Sequence, residues 1–133
     1  MDRLYETIFG QIIAKANHYS AVPDRSGGRR IIKDDKIRQY EASFMQQCSL
    51  YKERNISTAF RLYVCVYFRS KKYDLDNSLK TLLDCLQYVR AISNDSLCYA
   101  IIAEKRIDPV RPRVKFALEE IYPQGNLFTD SNV

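Results

Sequence analysis

No two of the four cysteines, Cys48, Cys65, Cys85 and Cys98, stand close together in the chain. The Cys-x-x-Cys spacing of a zinc site is therefore missing. Their neighbours are mostly apolar, as where Val64 and Val66 flank Cys65. That context predicts small buried thiols in a reducing cytoplasm rather than a disulfide framework. There is no apolar run near the roughly 20 residues that cross a bilayer, and no signal-peptide pattern. The expectation is a cytoplasmic protein, in a bacterial or phage-infected cell, with no membrane partner. There is one histidine, His18, in a polar loop. A lone loop histidine is more often incidental than a proton-transfer group. Internal repeats and low-complexity tracts are absent as well.

What is present is an ordinary globular composition over 133 residues, enough for one domain with a sizeable core. Residues 1–122 read as the domain and residues 123–133 as a polar C-terminal tail. The net charge of +5 leans toward a polyanionic partner without requiring one.

Hydrophobic periodicity sets out the elements. Residues 4–13 (Leu4, Tyr5, Ile8, Phe9, Ile12, Ile13) read as a first strand, with a short helix as the alternative. Residues 14–33 read as a long polar loop holding Pro23, Gly27-Gly28 and the cations Arg25, Arg29, Arg30 and Lys33. A loop of that length in a compact domain is functional or disordered. Over 34–53, Ile37, Tyr40, Phe44, Cys48 and Tyr51 recur at helical steps, with Asp34 and Asp35 at the start and Lys52 and Arg54 at the end.

Residues 58–69 alternate as a strand. Phe60, Leu62, Val64, Val66 and Phe68 share one face, and Arg61, Tyr63, Cys65, Tyr67 and Arg69 the other. That second face is either covered by protein or an aromatic–basic surface for a ligand. Residues 77–90 carry a helical stripe of Leu79, Leu82, Leu83, Leu86 and Val89. Ser93–Ser96 read as a turn, and 97–107 and 113–118 as strands. The fold class predicted is α+β: a small single domain with a mixed β-sheet packed against two main helices.

The chemistry concentrates in Lys71-Lys72-Tyr73-Asp74-Leu75-Asp76-Asn77-Ser78-Leu79-Lys80. Residues i and i+2 of an extended segment point to one side, so Asp74 and Asp76 are placed to face one ion. Mg²⁺ takes oxygen ligands, often one or two carboxylates completed by phosphate and water. Each acid has a plainer reading. Asp76 or Asn77 at a helix start is commonly an N-cap. Lys80 and Asp84 make an exposed i,i+4 pair, and Asp95 in an Asn-Asp turn is ordinary turn chemistry. Whether Asp95 comes near Asp74 and Asp76 depends on which strand edges pair.

Asp74-Leu75-Asp76-Asn77-Ser78-Leu79-Lys80, then Leu83-Asp84-Cys85-Leu86, then Ile92-Ser93-Asn94-Asp95 resembles the RusA-type Holliday-junction resolvases, small endodeoxyribonucleases common in prophages. The likeness covers residues 60–107 well. It extends weakly to Ala16-Asn17-His18-Tyr19 and the glycine–arginine loop. Asn94 stands where that family often has another aspartate, and the family's proline-rich start is missing.

The resemblance implies that Asp74, Asp76 and Asp95 ligate Mg²⁺, with Mn²⁺ as the alternative, and that no small-molecule cofactor is used. It implies that Lys80 is a catalytic partner contacting phosphate and that a homodimer nicks branched DNA symmetrically in recombination and repair; Asp84 matches a family acid whose role is open between catalysis and structure. Arg25, Arg29, Arg30, Lys33, Arg69, Lys71 and Lys72 are the candidates for phosphate contacts, Lys71 and Lys72 foremost because they flank the acids. Two other readings stand beside this one. One is a non-catalytic nucleic-acid-binding module using the Tyr63/Tyr67 face. The other is an interaction protein in which the acids are caps and turns.

Overall fold

The computed structural model describes residues 3–14, 19–23, 25–33 and 35–121, and of 19–22 and 29–33 the backbone only. His18, Asp34, the tail 123–133 and the side chains of Arg29, Arg30 and Lys33 lie outside that description. A four-stranded mixed sheet carries the fold in the order β1 (Glu6–Phe9), β6 (Arg113–Glu120), β4 (Phe60–Phe68), β5 (Cys98–Ile107). The helices α1 (Asp35–Gln47) and α2 (Leu75–Tyr88) complete it. This is the expected α+β architecture.

β4 is the axis of the domain. Its alternation is realised residue by residue: Phe60, Leu62, Val64, Val66 and Phe68 are all buried, and the residues between them are half-buried. The inner face packs against Phe44 and Tyr51 from the α1 side and Leu82, Cys85 and Leu86 of α2, together with Phe116 of β6. Phe116 stacks on Phe44 at 6.0 Å and meets Tyr51 at 5.6 Å. β4 pairs antiparallel with β6 and parallel with β5, so α2 is the crossover between two parallel strands.

α1 is shorter than its periodicity predicts, and the reason lies in β1. Glu6 is buried, and its carboxylate accepts hydrogen bonds from the backbone N–H groups of Ser49 (3.0 Å), Leu50 (2.9 Å) and Tyr51 (3.1 Å), and from the Cys48 thiol (3.2 Å). Those N–H groups would otherwise extend the helix. The chain turns at Gln47 instead, and Lys52 and Arg54 fall outside α1. Burial acts to raise the pKa of Glu6, but the donors outweigh it and hold the carboxyl below its ordinary value. Burial, with Glu6 beside it, pushes the Cys48 thiol up to about 12.

β1 is also shorter than 4–13. Gly10 at φ +114° takes a backbone conformation that L side chains rarely adopt, and its N–H bonds to Pro112 O at 2.9 Å. The long loop over 14–33 contains a hairpin, β2 (Tyr19–Pro23) paired antiparallel with β3 (Arg29–Lys33), turning through Gly27 at φ +89°. It forms its own two-stranded sheet. The four cysteines are free thiols: Cys48 and Cys85 are buried, Cys65 and Cys98 half-buried. Among the described residues no helix is long and apolar enough to cross a membrane.

Candidate functional site

α2 begins earlier than the leucine stripe indicates. Its N-cap is Asp74, at φ −97° and ψ 131°, and its first turn contains Leu75, Asp76 and Asn77. The cap reading of Asp76 and Asn77 is thus displaced by two or three residues. The extended geometry that would aim Asp74 and Asp76 at one point is replaced by an extended residue followed by a helical one. The Asp74 carboxylate makes no capping hydrogen bond. It accepts a long one, 3.4 Å, from Asn77 Nδ2. Asp76 is exposed in the first turn, where the helix dipole favours an anion.

The connector ahead of Asp74 is held from two sides. The Tyr73 ring lies flat on Phe68, 5.6 Å between centroids and 8° between planes. Lys105 of β5 donates from Nζ to Lys71 O at 2.8 Å and to Tyr73 O. The parallel register sets Lys105 beside Val66, on the helix side of the sheet. Sequence reasoning missed Lys105. The signal was a lysine on the strand face that carries Ala103 inward.

Asp76, Lys80 and Asp84 follow at four-residue steps along one side of α2. Lys80 is the pivot: its ammonium lies 3.2 Å from Asp95 Oδ2 and 3.3 Å from Asp84 Oδ1. The hydrogen bonds to Asp95 and then Asp84 raise its pKa, so it stays charged at neutral pH. Asp95 opens a 3-10 turn (Asp95–Leu97) whose cap is Asn94, its Oδ1 accepting from Ser96 N at 2.8 Å. Asn94 therefore does the turn chemistry, and the Asp95 carboxylate is left to face Lys80. The Asp95 N–H is fixed by Gln87 Oε1 at 3.0 Å, a positioning contact with no signal in the local pattern.

The parallel pairing of β4 with β5 answers the edge question. It brings Asp95 back alongside the middle of α2, to Lys80 and Asp84. Asp74 and Asp76 sit further up the helix, Asp76 about 6 Å of rise before Lys80. Among the described residues no three His, Cys, Asp or Glu side chains converge closely enough to hold an ion as they stand. In kind the acids fit a hard divalent cation: all are carboxylates, the Asp74 carboxylate makes no capping hydrogen bond although Asp74 is the N-cap residue, and the Asp84–Asp95 side already seats the positive charge of Lys80.

The flanking cations divide. Arg69 and Lys72 are exposed and lie over the Tyr73 ring at 6.0 and 5.2 Å. Lys71 is exposed. Arg29 and Arg30 lie on β3, and Arg25 is exposed before it. Arg69 does not join the outer face of the sheet, because β4 ends at Phe68. On that face Arg113 covers Tyr67 and Arg3 covers Tyr63, each at 3.7 Å, and Arg61 is paired with Glu119 at 2.6 Å. The rings that would stack bases there already carry guanidinium groups.

Comparison with protein-family models matches residues 10–119 to the family described as endodeoxyribonuclease RusA. Comparison with curated proteins gives no match.

Proposed function

The chain belongs to the RusA endodeoxyribonuclease family, and from that premise we propose that it is a metal-dependent nuclease that resolves four-way DNA junctions by paired symmetric nicks, as a homodimer, in recombination and repair, and that it is of prophage origin. The match over residues 10–119 is the observation that carries this reading. It spans β2–β3, both helices and every acid of the site. A two-fold junction suits a two-fold protein.

Asp74, Asp76 and Asp95 would hold Mg²⁺, or Mn²⁺, which when bound supplies a Lewis acid for the phosphate and lowers the pKa of an attacking water. The rest falls to the chain's own side chains. Lys80 places an ammonium where negative charge grows on the scissile phosphate. Asp84 and Asp95 hold that ammonium over the helix, so it is aimed before substrate arrives. Arg69, Lys71 and Lys72 at the helix start, with Arg29 and Arg30 on the hairpin, neutralise backbone phosphates and set the register of the strand. Lys105 and the Tyr73–Phe68 stack fix the connector that carries Asp74.

The test is cleavage of a labelled synthetic four-way junction, with linear duplex as control, with and without Mg²⁺, by wild type and Asp76→Asn. Symmetric nicks on the junction that vanish in the variant or without metal are the expected result. A retarded junction that is never cut, in Mg²⁺ or Mn²⁺, would move the chain to the non-catalytic binding module.

A further inference from the structure

A cavity of about 570 Å³ lies beside the start of α2. Lys36, Gln39 and Tyr40 of α1 form one wall, and Gln11, Arg69 and Tyr73 belong to the other side. Its volume falls within the range of small-ligand sites, about 300–1,000 Å³. It continues into a second cavity of about 100 Å³ lined by Lys72, Asp74 and Asn77, and Ile12, Ala14 and Tyr73 belong to both walls. One end of the space therefore meets Asp74, and the other lies along α1.

The lining points to one kind of occupant. The charged side chains of the larger cavity are Lys36 and Arg69, and no carboxylate is among its described lining residues. Neither cation forms an ion pair with a described carboxylate. Lys36 stands in the first turn of α1, where the helix dipole disfavours a cation. The acid next to it, Asp35, is turned to Arg38 at 3.5 Å. Helix stability therefore gives no reason for a lysine at this place, whereas an anion in the cavity does. Across the space, Gln11 braces the chain: its Oε1 accepts from Arg69 N at 2.9 Å and its Nε2 donates to Ile12 O at 3.0 Å. Arg69 starts from a fixed backbone, which lowers the cost of ordering its side chain on a ligand. The Tyr73 ring is engaged by Phe68, Arg69 and Lys72, so it is wall and not a platform for a base. Two cations on separate elements, with the Gln39 amide beside them, suit a phosphate.

We propose that this cavity holds a non-scissile backbone phosphate of the DNA strand being cut, met by Lys36 from α1 and Arg69 from the end of β4. The proposal rests on the nuclease reading and names a subsite of it. Lys36 lies outside the acidic motif and its basic flank, and no sequence pattern marks it. Phosphate contacts fix the register of a strand and read no sequence. This subsite would therefore set which bond reaches the acids, not which bases flank it. The acids repel a strand where no metal is bound, and the cavity supplies a cationic hold beside them.

The test uses four-way junctions carrying a single uncharged methylphosphonate, moved one linkage at a time along the strand around the branch point. Binding is measured in EDTA for wild type, Lys36→Gln, Arg69→Gln and the control Arg38→Gln. Arg38 is exposed on α1 and is not among the described lining residues of either cavity. One linkage is expected to weaken wild type about 10-fold, the scale of a hydrogen bond to a charged group. Lys36→Gln and Arg69→Gln should each bind the unmodified junction less tightly and lose most of the response at that same linkage. Arg38→Gln should respond as wild type does. Lys36→Gln should also lower the slope of log K against log salt by about 0.9. Lys36 and Arg69 are exposed, so both variants should keep the wild-type Tm.

Cleavage of the same junctions by wild type separates the two readings. A wild type that cuts while no linkage responds overturns the subsite and leaves the nuclease. So does a pair of variants that blunt different linkages or none, or an Arg38→Gln that loses the response as they do. A wild type that responds at one linkage but never cuts, in Mg²⁺ or Mn²⁺, keeps the phosphate site and overturns the nuclease. A wild type that neither binds nor cuts junctions overturns both.

Discussion

Lys80→Met separates the two roles open to this lysine by magnitude. As a structural ion pair it is weak. Its side chain is 66% exposed, and it meets Asp84 and Asp95 at ordinary distances. Exposed pairs of this kind are worth about 0.2–1 kcal/mol each, and i,i+4 helix pairs about 0.3–0.5. Replacing the ammonium by a methyl thioether keeps most of the stem and its helix propensity. The loss of stability should therefore stay near 1 kcal/mol, a shift of a few degrees in Tm for a domain of this size.

As a charge aimed at the scissile phosphate it is strong. Removing one preorganised stabiliser of transition-state charge costs about 10²–10³ in rate. The assay pairs thermal unfolding by circular dichroism with single-turnover cleavage of a junction. The raised pKa adds a control. The charge is fully present below the ordinary lysine value of 10.5 and is lost only as pH rises through the higher folded value. In the metal-free protein the ammonium is therefore intact at neutral and mildly alkaline pH. Lys80→Arg should recover part of the rate, since it keeps the charge but changes the donor geometry. If Lys80→Met cuts at the wild-type rate, or loses rate only in proportion to the fraction unfolded, the catalytic assignment is wrong.

Glu6→Gln keeps an acceptor but loses the charge that gathers three backbone donors and a thiol, at a cost of about 2–3 kcal/mol. Because the folded pKa is depressed, this stability is present above the unfolded value near 4.5 and lost as pH falls through the lower folded one. Urea midpoints against pH should show the acid slope flatten in the variant, and an unchanged slope would sink the assignment. Arg90→Gly should stabilise by about 1 kcal/mol: Arg90 sits at φ 61° just after α2, where Ala91 N bonds to Leu86 O and Arg90 N to Gln87 O, a helix end that favours glycine. A lower Tm would contradict this. Arg69→Gln combined with Lys72→Gln should reduce the slope of log K against log salt for duplex arms by about 2, near 0.9 for each phosphate no longer neutralised. A parallel line of unchanged slope would remove both residues from the phosphate path.

The elements legible in the sequence are those whose order is local. β4 alternates because both its faces meet protein: helices and Phe116 inside, the Arg113 and Arg3 side chains on Tyr67 and Tyr63 outside. Helix α2 shows its leucine stripe because one side of it is buried against the sheet and the other carries Asp76 and Lys80. The features that differ from expectation depend on distant residues. Nothing near Gln47 says that Glu6, more than forty positions earlier, will take the next N–H groups of the chain. The β2–β3 hairpin forms a two-stranded sheet of its own, turning through Gly27 inside a stretch that reads as one polar loop. Asp74 and Asp76 read as one extended stretch because Leu75 could belong to either element. The first turn of α2 includes it.

The candidate site is legible as residue types but not as pairings. Asp95 reaches Lys80 because β5 pairs parallel with β4, and parallel pairing obliges the chain to run back along α2 before it enters β5. Once that crossover exists, one helix does two jobs on opposite sides. Ser78, Thr81, Leu82, Cys85 and Leu86 are buried, with Thr81 Oγ1 donating to Ile13 O at 2.6 Å. Asp76, Lys80 and Asp84 form the other side. Its start is tied by Lys105 and the Tyr73–Phe68 stack, and its last turn by Gln87 and the Arg90–Ala91 hydrogen bonds. A helix fixed at both ends and along its inner side cannot slide to suit a substrate. Adjustment must come from side chains, above all Lys80, whose side chain is 66% exposed while Asp84 and Asp95 set its resting direction. That exposure is useful: an ammonium bound tightly to Asp84 and Asp95 could not transfer to a phosphate.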